Sequence, residues 1–379
     1  MGRKMIPFNK SSLEGQELDY IFETISNGQI AGNQMFSMKC QALLESVIRT
    51  PKALLTTSCT HALEMAALLI DIRHGDEIIL PAFTFVSTAN AFVLHGAKPV
   101  FCDIRPDTLN LDESKLEGLI TTRTRAIIPV HYAGIGCEMD AIMKIANRYK
   151  ISVIEDNAHG LFGKYRGSDL GTFGCLATQS FHETKNITCG EGGALLINEE
   201  KFIERAEIIR EKGTNRARFF RGESNKYSWQ DIGSSYVMSD VLAAFLFGQL
   251  ENWEKIQIKR QFIWDRYDHE LKDWAKFNDI QTPVVPDHCE QAYHMYYLLM
   301  PTLNARTDFI NRLREYHITA VFHYLPLNLS PFAKDMNKKG WKDFTCPVTE
   351  KIASRIIRLP FYTSLSNEDQ SKIIEIIKK

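Results

Sequence analysis

The first half of the chain alternates short apolar runs with amphipathic stretches, and this alternation restricts the folds that the chain can adopt. Segments such as residues 60–69 and 138–150 have the apolar spacing of helices. Strand–helix alternation of this kind indicates an α/β protein with a mostly parallel sheet wrapped by helices. The apolar runs predict strands over residues 53–55, 77–80, 98–102, 125–132, 152–155, 177–181 and 193–197.

Several polar and aromatic side chains fall at or just beyond the ends of these predicted strands. They are Ser58, Phe85, His131, Asp156 and Lys185. Ligands of open α/β sheets bind outside the carboxyl ends of the strands. We therefore expect one functional site at that edge of the sheet.

The second half of the chain predicts a smaller α/β domain. A long helical stretch covers about residues 239–274, and strand-like and helical segments follow over 292–300, 307–316, 318–323 and 367–379. We predict an N-terminal arm that packs against this domain. The predicted division is arm 1–35, large domain 36–240, and long helix with small C-terminal domain 241–379.

Composition argues against several classes of function. The 379 residues carry 45 basic and 46 acidic side chains and a net charge of −1, so no nucleic-acid partner is indicated. No apolar run approaches the ~20 residues of a membrane helix, and no secretory signal is visible. Eight cysteines occur without any C-x-x-C pair. We expect a cytoplasmic protein with reduced thiols and no membrane contact.

Lys185 is the candidate for covalent chemistry. It lies in the segment SFHETKN (residues 180–186) after a predicted strand, and GEGG (190–193) follows it. A lysine at a strand end can form an imine with an aldehyde cofactor, provided that its pKa is lowered. A solvated surface lysine is the alternative, and the flanking segments disfavour it.

Asp156 is the candidate partner of the same cofactor. It closes the apolar strand 152–155, next to Glu155, which we read as structural. A carboxylate at this position could keep a pyridine nitrogen protonated, and a lysine paired with such a carboxylate is what pyridoxal phosphate requires. The alternative is an aspartate that caps the next helix.

The start of a predicted helix offers a phosphate site. Ser58, Cys59 and Thr60 open that helix, and helix N-termini bind phosphate through free N–H groups and the helix dipole. Ser180 could reach the same phosphate from its strand end. An ordinary helix cap explains the first three residues equally well.

Two further side chains could touch the cofactor. Phe85 could stack on its ring, or it could be a core aromatic residue. His159 could contact the cofactor's phenolic oxygen or an adjacent face, or it could cap a helix.

Two other cofactor classes lack their motifs. His131, His182 and His323 are far apart in sequence and do not have ligand spacing, so we predict no metal site. A nicotinamide cofactor is disfavoured because no G-x-G-x-x-G follows an early strand.

With these residues in hand, the chain resembles the DegT/DnrJ/EryC1/StrS sugar aminotransferases, which are pyridoxal phosphate enzymes of fold type I, the aspartate-aminotransferase-like fold. The resemblance runs from about residue 6 to residue 360. It includes TFVSTAN (84–90), PVHY (129–132), Glu155–Asp156, the segment 180–185 and residues 190–195.

The resemblance implies roles for individual residues. Lys185 would be the covalent lysine and Asp156 the partner of the pyridinium nitrogen. Cys59, through its backbone N–H, would hold the phosphate together with Thr60 and Ser180. His159 stands where the family has Gln or His near the cofactor oxygen.

The resemblance also implies a homodimer with shared sites. Relatives use an Asn from the other subunit at the phosphate, in a Gly-x-Asn-x-x-Met context, where this chain has Ser235. The arm lacks the Gly-Pro often found in relatives. Sugar-nucleotide contacts would come from the arm, one loop and two His-Tyr pairs: Gly32, His131, Tyr132, Arg216 in the loop 216–221, His323 and Tyr324.

The activity implied is amino transfer from L-glutamate to C4 of a 4-keto-6-deoxy nucleotide sugar. Stretches including residues 53–71 and 208–216 are most similar to members that make dTDP-4-amino-4,6-dideoxygalactose for polysaccharide assembly. Alternatives are a UDP- or GDP-linked keto sugar, or a non-catalytic regulator with this fold. Relatives that dehydrate sugars replace the lysine with histidine, and Lys185 argues against that activity.

Overall fold

The computed structural model describes residues 5–379, so the first four residues of the predicted arm lie outside the described part. The strands are β1 (Lys52–Thr56), β2 (Glu77–Pro81), β3 (Lys98–Cys102), β4 (Thr124–Ile127), β5 (Ser152–Asp156), β6 (Lys164–Tyr165), β7 (Ser168–Asp169), β8 (Leu176–Ser180), β9 (Gly193–Ile197), β10 (Cys289–Glu290), β11 (Tyr297–Leu299) and β12 (Ile356–Arg358).

Thirteen α-helices accompany these strands within residues 5–379. They are α1 (Glu17–Ser26), α2 (Met35–Ile48), α3 (Cys59–Leu69), α4 (Val86–Val93), α5 (Met139–Tyr149), α6 (Ile203–Arg210), α7 (Arg216–Phe220), α8 (Asp240–Leu250), α9 (Trp253–Phe277), α10 (Leu303–Glu315), α11 (Pro331–Lys338), α12 (Pro347–Ala353) and α13 (Asn367–Lys378).

The main sheet has seven strands in the order β1-β9-β8-β5-β4-β2-β3. Its pairs from β8 through β3 are parallel, whereas β9 runs antiparallel to both β1 and β8. All residues of β2, β8 and β9 are buried, as expected where helices cover both faces. The predicted α/β class with a mostly parallel sheet is confirmed.

Strand direction gathers the loops that matter at one edge of this sheet. Because only β9 is reversed, the carboxyl ends of the six other strands lie at the same edge as the amino end of β9. Gly193 at the start of β9 therefore lies beside the end of β8 and the loop after β1. The sequence segments that end these strands are thus brought together.

Several predicted elements are shorter in the structure. The strand predicted over 125–132 ends at Ile127, since Pro129 has no N–H to continue the ladder. The single helix predicted over 239–274 is two helices, α8 and α9, separated at residues 251–252. The strand predicted over 318–323 contributes only isolated bridges, at Ile318 and Val321.

A second hydrophobic core lies around β11 and β12. It contains α9, α10 and α13, whose buried side chains include Tyr267, Leu313 and Ile373. The arm joins this core through Ile6, which bridges Ile318, and α1 then packs on α8. The predicted domain boundaries themselves stay a prediction. Within residues 5–379 no helix has the length and apolar character needed to cross a membrane.

Candidate active site

The start of α3 presents free N–H groups at the carboxyl edge of the sheet. Ser58 is the N-cap, and its hydroxyl oxygen accepts the N–H of His61 at 3.1 Å. The backbone N–H groups of Cys59 and Thr60 have no acceptor in the described part of the chain. Ser58 can therefore cap the helix while the same helix start binds an anion, because the cap occupies the N–H of His61 and leaves those of Cys59 and Thr60 free.

Gly193 allows the sheet to approach this helix start closely. A Cβ atom at Gly193 would lie 2.4 Å from the backbone nitrogen of Cys59 and 2.4 Å from the carbonyl carbon of Ser58. Ser180, at the end of β8, pairs directly with Gly193. This close packing depends on the pairing of β9 with both β8 and β1.

Asp156 ends β5 and points toward the same region. Its Oδ2 accepts the hydroxyl of Thr88 at 2.7 Å, and its Oδ1 accepts the N–H of Ala158 at 3.2 Å. The Thr84 and Thr88 hydroxyls are 2.8 Å apart, so the carboxylate is anchored from α4. Sequence reasoning missed Thr88, although it lies one helical turn from Thr84 within a segment that matched the family.

Lys185 lies in the loop after β8, where its surroundings change the basicity of its amine. Burial lowers the pKa of Lys185 to about 8, interactions with Cys59 and Asp156 raise it in part, and Arg358 lowers it further. A larger fraction of the amine is therefore neutral near pH 7 than for a solvated lysine. This is the state that a nucleophilic or proton-transferring lysine needs.

His159 belongs to a stack of uncharged rings beside the lysine. Its ring lies 4.2 Å from that of His294, and its Nε2 is 3.1 Å from the Tyr324 hydroxyl. Its Nδ1 is buried without a partner in residues 5–379. Burial, followed by the charges of Lys185 and Arg358, holds the pKa of His159 well below its usual value.

His294 was missed in the sequence because it comes from the second core. Its Nδ1 is 2.9 Å from the Asn186 side-chain oxygen, next to Lys185. Burial is the main reason why its pKa is also well below the usual value. No local motif signals this residue, which reaches the site only through tertiary packing.

Phe85 faces the opening of the site rather than the core. Its side chain is 57% exposed, whereas Phe83, two residues earlier, is 1% exposed. The Phe85 ring lies 6.2 Å from the ring of Tyr324. Phe83 is therefore the core aromatic residue, and the ring of Phe85 is accessible to a ligand.

The sugar contact predicted for His131 is wrong in this structure. The ring is fully buried, with Nε2 2.9 Å from Glu155 and Nδ1 accepting the N–H of Cys137. Because both ring nitrogens are used inside the protein, no group remains for a sugar. Glu155 also accepts three N–H groups from the loop 171–174, in line with its structural reading.

Tyr132 does not reach the surface either, although it contacts a site residue. It is 1% exposed, and its hydroxyl is 2.6 Å from Nδ1 of His323. His323 is buried, whereas Tyr324 is half-buried and its ring stacks on that of His159. A direct sugar contact by Tyr132 is therefore not supported, and its visible role is to hold His323.

Three other predicted residues lie outside this cluster. Gly32 is packed so closely that a Cβ atom would meet Val237 and the Met238 carbonyl. Arg216 starts α7 on the surface, with its guanidinium over the Phe220 ring. Ser235 is exposed, and its backbone forms an isolated bridge with Glu211.

The residues that face each other fit pyridoxal phosphate. Free N–H groups at α3 suit the phosphate, the Asp156 carboxylate suits a protonated ring nitrogen, and the Lys185 amine suits the aldehyde. The unpartnered Nδ1 of His159 and the close packing at Gly193 fit a site shaped for a ligand. No cluster of three or more potential metal ligands occurs in residues 5–379.

This fold and this site define a fold-type I, pyridoxal-phosphate-dependent aminotransferase. The sequence model of the DegT/DnrJ/EryC1/StrS aminotransferase family matches residues 12–378, so the chain belongs to that family. The predicted family, fold and cofactor are therefore confirmed, and the chain is a sugar aminotransferase with an amino donor and a keto-sugar substrate.

Individual relatives agree with this assignment. The spore coat polysaccharide biosynthesis protein SpsC of Bacillus subtilis is 32% identical over 98% of this chain and 96% of its own length. A sugar aminotransferase from Streptococcus pneumoniae, solved in its PLP form, superposes with a TM-score of 0.90 at 27% identity, covering 99% of this chain and 98% of that one. Helicobacter pylori PseC, an aminotransferase involved in the biosynthesis of pseudoaminic acid, gives 0.90 at 25% identity over 99% and 98%.

Proposed function

We propose that this aminotransferase moves the amino group of L-glutamate to C4 of dTDP-4-keto-6-deoxy-D-glucose and releases dTDP-4-amino-4,6-dideoxy-D-galactose. One observation carries the amino-transfer step: Lys185, with its pKa lowered to about 8, shares one edge of the sheet with Asp156 and the free N–H groups of α3. The sugar rests on the sequence resemblance over residues 53–71, 85–94, 105–111 and 208–216.

The N-terminus of α3 would fix the cofactor by its phosphate. The N–H groups of Cys59 and Thr60 are the donors, and the hydroxyls of Ser58 and Ser180 lie at the same edge of the sheet. The thiol of Cys59 adds no charge there, because burial raises its pKa to about 12. The cysteine acts through its backbone, as the resemblance implies.

Asp156 would hold the ring and Lys185 would move the proton. Bound pyridoxal phosphate supplies an aldehyde for the amino group and a ring that accepts electrons. The Asp156 carboxylate, anchored by Thr88, keeps a proton on the ring nitrogen. The Lys185 amine accepts the proton from the α-carbon of the donor and returns one to C4 of the sugar, a general acid–base role.

Phe85 and His159 would limit the position of the cofactor ring. The exposed face of Phe85 is available for stacking, and His159 is held from behind by His294 and from the side by Tyr324. Because the His159 ring is neutral, its unpartnered Nδ1 can serve the cofactor oxygen without adding a positive charge next to Lys185.

We also propose a cytoplasmic homodimer in which Ser235 reaches the partner's phosphate site. Ser235 is exposed and has no side-chain partner in the described residues, so its hydroxyl is available to donate. The helix α1 exposes Leu18, Phe22 and Ile25 at 58–73%, which suits an interface between copies. Gly32, Arg216, His323 and Tyr324 remain the proposed sugar-nucleotide contacts.

A coupled assay tests this function. Cofactor-loaded protein is mixed with L-glutamate and dTDP-4-keto-6-deoxyglucose, and the sugar product is identified by mass and NMR. An aminated C4 with galacto configuration is expected. Glutamate-driven conversion of the cofactor without amination of this sugar would replace the substrate by a UDP- or GDP-linked keto sugar.

A further inference from the structure

A groove lies at the amino edge of the main sheet, opposite to the edge that carries the active site. Glu77 and Lys98 begin β2 and β3 at this edge, and the loop 340–344 from the C-terminal part of the chain forms the facing wall. The groove has a volume of about 220 Å³. Because β2 has five residues that rise about 3.3 Å each, roughly 15 Å of buried sheet separate the two edges. A ligand in the groove would therefore not touch the cofactor.

Positive charge exceeds negative charge in this groove. Three cationic side chains line it, Lys98, Arg123 and Lys342, together with the single carboxylate of Glu77. Glu77 is buried and already bonded, because it accepts the Thr121 hydroxyl at 2.6 Å and Nε of Arg123 at 3.0 Å. Its charge balances that of Arg123, so the charges of the two lysines remain.

The ammonium groups of Lys98 and Lys342 have no anionic partner among residues 5–379. Neither forms an ion pair or a side-chain hydrogen bond there, and Lys342 has only the face of the Phe344 ring, 5.2 Å from the ring centre. Because both lysines line one small groove, their charges repel each other, and an anion bound between them relieves this repulsion. The groove therefore suits a ligand that carries about two negative charges.

Trp341 adds an aromatic wall to the same groove. Its side chain is half-buried and lies edge-on to Phe332, with 5.9 Å between the ring centres. Its indole N–H has no acceptor in the described part of the chain. Further along the loop, Phe344 lies edge-on to Phe101 of β3 at 6.2 Å, which ties the loop to the sheet. An indole held beside unpaired cations can stack on the planar ring of an anion.

We propose that this groove binds a nucleoside monophosphate. A phosphate monoester carries about −1.5 to −2 charges at pH 7, which matches two unpaired ammonium groups. Lysine binds phosphate as a point charge, and aromatic side chains stack on any base because every base has a π-face. The phosphate would lie between Lys98 and Lys342, with the base against Trp341.

The size of the groove favours a monophosphate over a sugar nucleotide. Sites for drug-sized ligands usually enclose about 300–1,000 Å³, and this groove has about 220 Å³. Its rim at Gly340 and Lys342 is exposed, so the ribose can remain in solvent. Inorganic phosphate would satisfy the lysines but would leave Trp341 without a contact.

The test is calorimetric titration of dTMP into cofactor-loaded protein. Wild type is compared with Lys98→Ala, Lys342→Ala and Trp341→Ala, and each titration is repeated with inorganic phosphate in place of dTMP. Lys338→Ala is the matched control, because Lys338 is an exposed lysine of α11 that does not line the groove. Binding is measured without turnover, so the result does not depend on the proposed substrate.

Lys98→Ala and Lys342→Ala should each weaken dTMP binding by about tenfold to a hundredfold, the range for a lost hydrogen bond to a charged group. Trp341→Ala should weaken dTMP binding by about fivefold to a hundredfold and leave phosphate binding unchanged, because only the base uses the ring. Lys338→Ala should match wild type. Unfolding temperatures identify a folding defect, in which case Lys342→Ala, at an exposed side chain, provides the comparison.

Three results would overturn the inference. The first is wild type that binds no dTMP. The second is equal dTMP affinity in wild type and in all three groove variants, which would place the nucleotide elsewhere, such as in the active site. The third is a loss in both lysine variants without a loss in Trp341→Ala, which would leave a site for phosphate alone.

Discussion

Glu155 and Asp156, two neighbouring carboxylates at the end of β5, lie in different environments. Glu155 is fully buried and accepts four hydrogen bonds, one involving His131 and three from backbone N–H groups, at 2.7–2.9 Å. Asp156 accepts from Thr88 and one N–H, and it faces the cluster around Lys185. Successive side chains of a strand point to opposite faces, so one position separates the two environments.

This difference indicates that Glu155 supports the fold, whereas Asp156 is available to bind a ligand. A carboxylate has about four acceptor positions, and those of Glu155 are filled from within the chain. Asp156 keeps capacity for a donor that the protein does not supply. We expect changes on the Glu155 side to cost stability, and changes on the Asp156 side to cost cofactor binding and turnover.

The largest effect should come from Lys185→Ala, at the centre of the Asp156 side. Loss of the covalent and proton-transferring amine should reduce turnover at least about 10⁴-fold and abolish the absorbance of the lysine-bound cofactor. Lys201→Ala removes an exposed lysine paired with Glu199 and is the control. Full activity in Lys185→Ala would contradict the assignment.

Phe83 and Phe85 extend the comparison to aromatic residues. Phe83→Ala should lower the free energy of unfolding by about 3–5 kcal/mol, since it empties a buried site. Phe85→Ala should change it by less than about 1 kcal/mol and weaken cofactor binding about tenfold instead. Denaturant unfolding and cofactor titration of both variants measure this, and equal losses of stability would argue against an open Phe85.

A third prediction concerns the cost of burying Lys185 in cofactor-free protein. Its folded pKa of about 8 lies below the unfolded value of 10.5, so the lysine destabilises the fold while it is charged, below about pH 8. Stability should rise between about pH 8 and 10.5, because the unfolded chain then binds more protons. Lys185→Met should be about 3 kcal/mol more stable than wild type at pH 7 and should lack that rise. If the free energy of unfolding had the same pH dependence in wild type and in Lys185→Met, the prediction would be refuted.

The smallest effect should come from Ser235, which we place across the subunit interface. Ser235→Ala should weaken cofactor binding by about tenfold, the lower end of what one hydrogen bond to a charged group contributes. Ser234→Ala, also at an exposed serine, should leave the affinity unchanged. An effect of Ser234 equal to that of Ser235 would remove the basis for the shared site.

The sequence was sufficient for the α/β class and for the cluster around Lys185, because strand ends of a parallel sheet share one edge. The prediction for His131 failed because the strand ends before Pro129. The alternation of side chains along a strand therefore does not apply to His131, which points inward to Glu155. His294 and Arg358 were beyond reach for another reason. Both come from the second core, and only tertiary packing brings them to Lys185.

The pair Glu155→Gln and Asp156→Asn tests the central distinction most directly. Unfolding free energy and pyridoxal phosphate affinity are measured for both variants in one set of preparations. We predict that Glu155→Gln loses at least about 3 kcal/mol of stability, because it disturbs a buried carboxylate network. Asp156→Asn should stay near wild-type stability and lose cofactor affinity and turnover about a hundredfold or more. A stable Glu155→Gln, or an Asp156→Asn variant with wild-type turnover, would contradict the account.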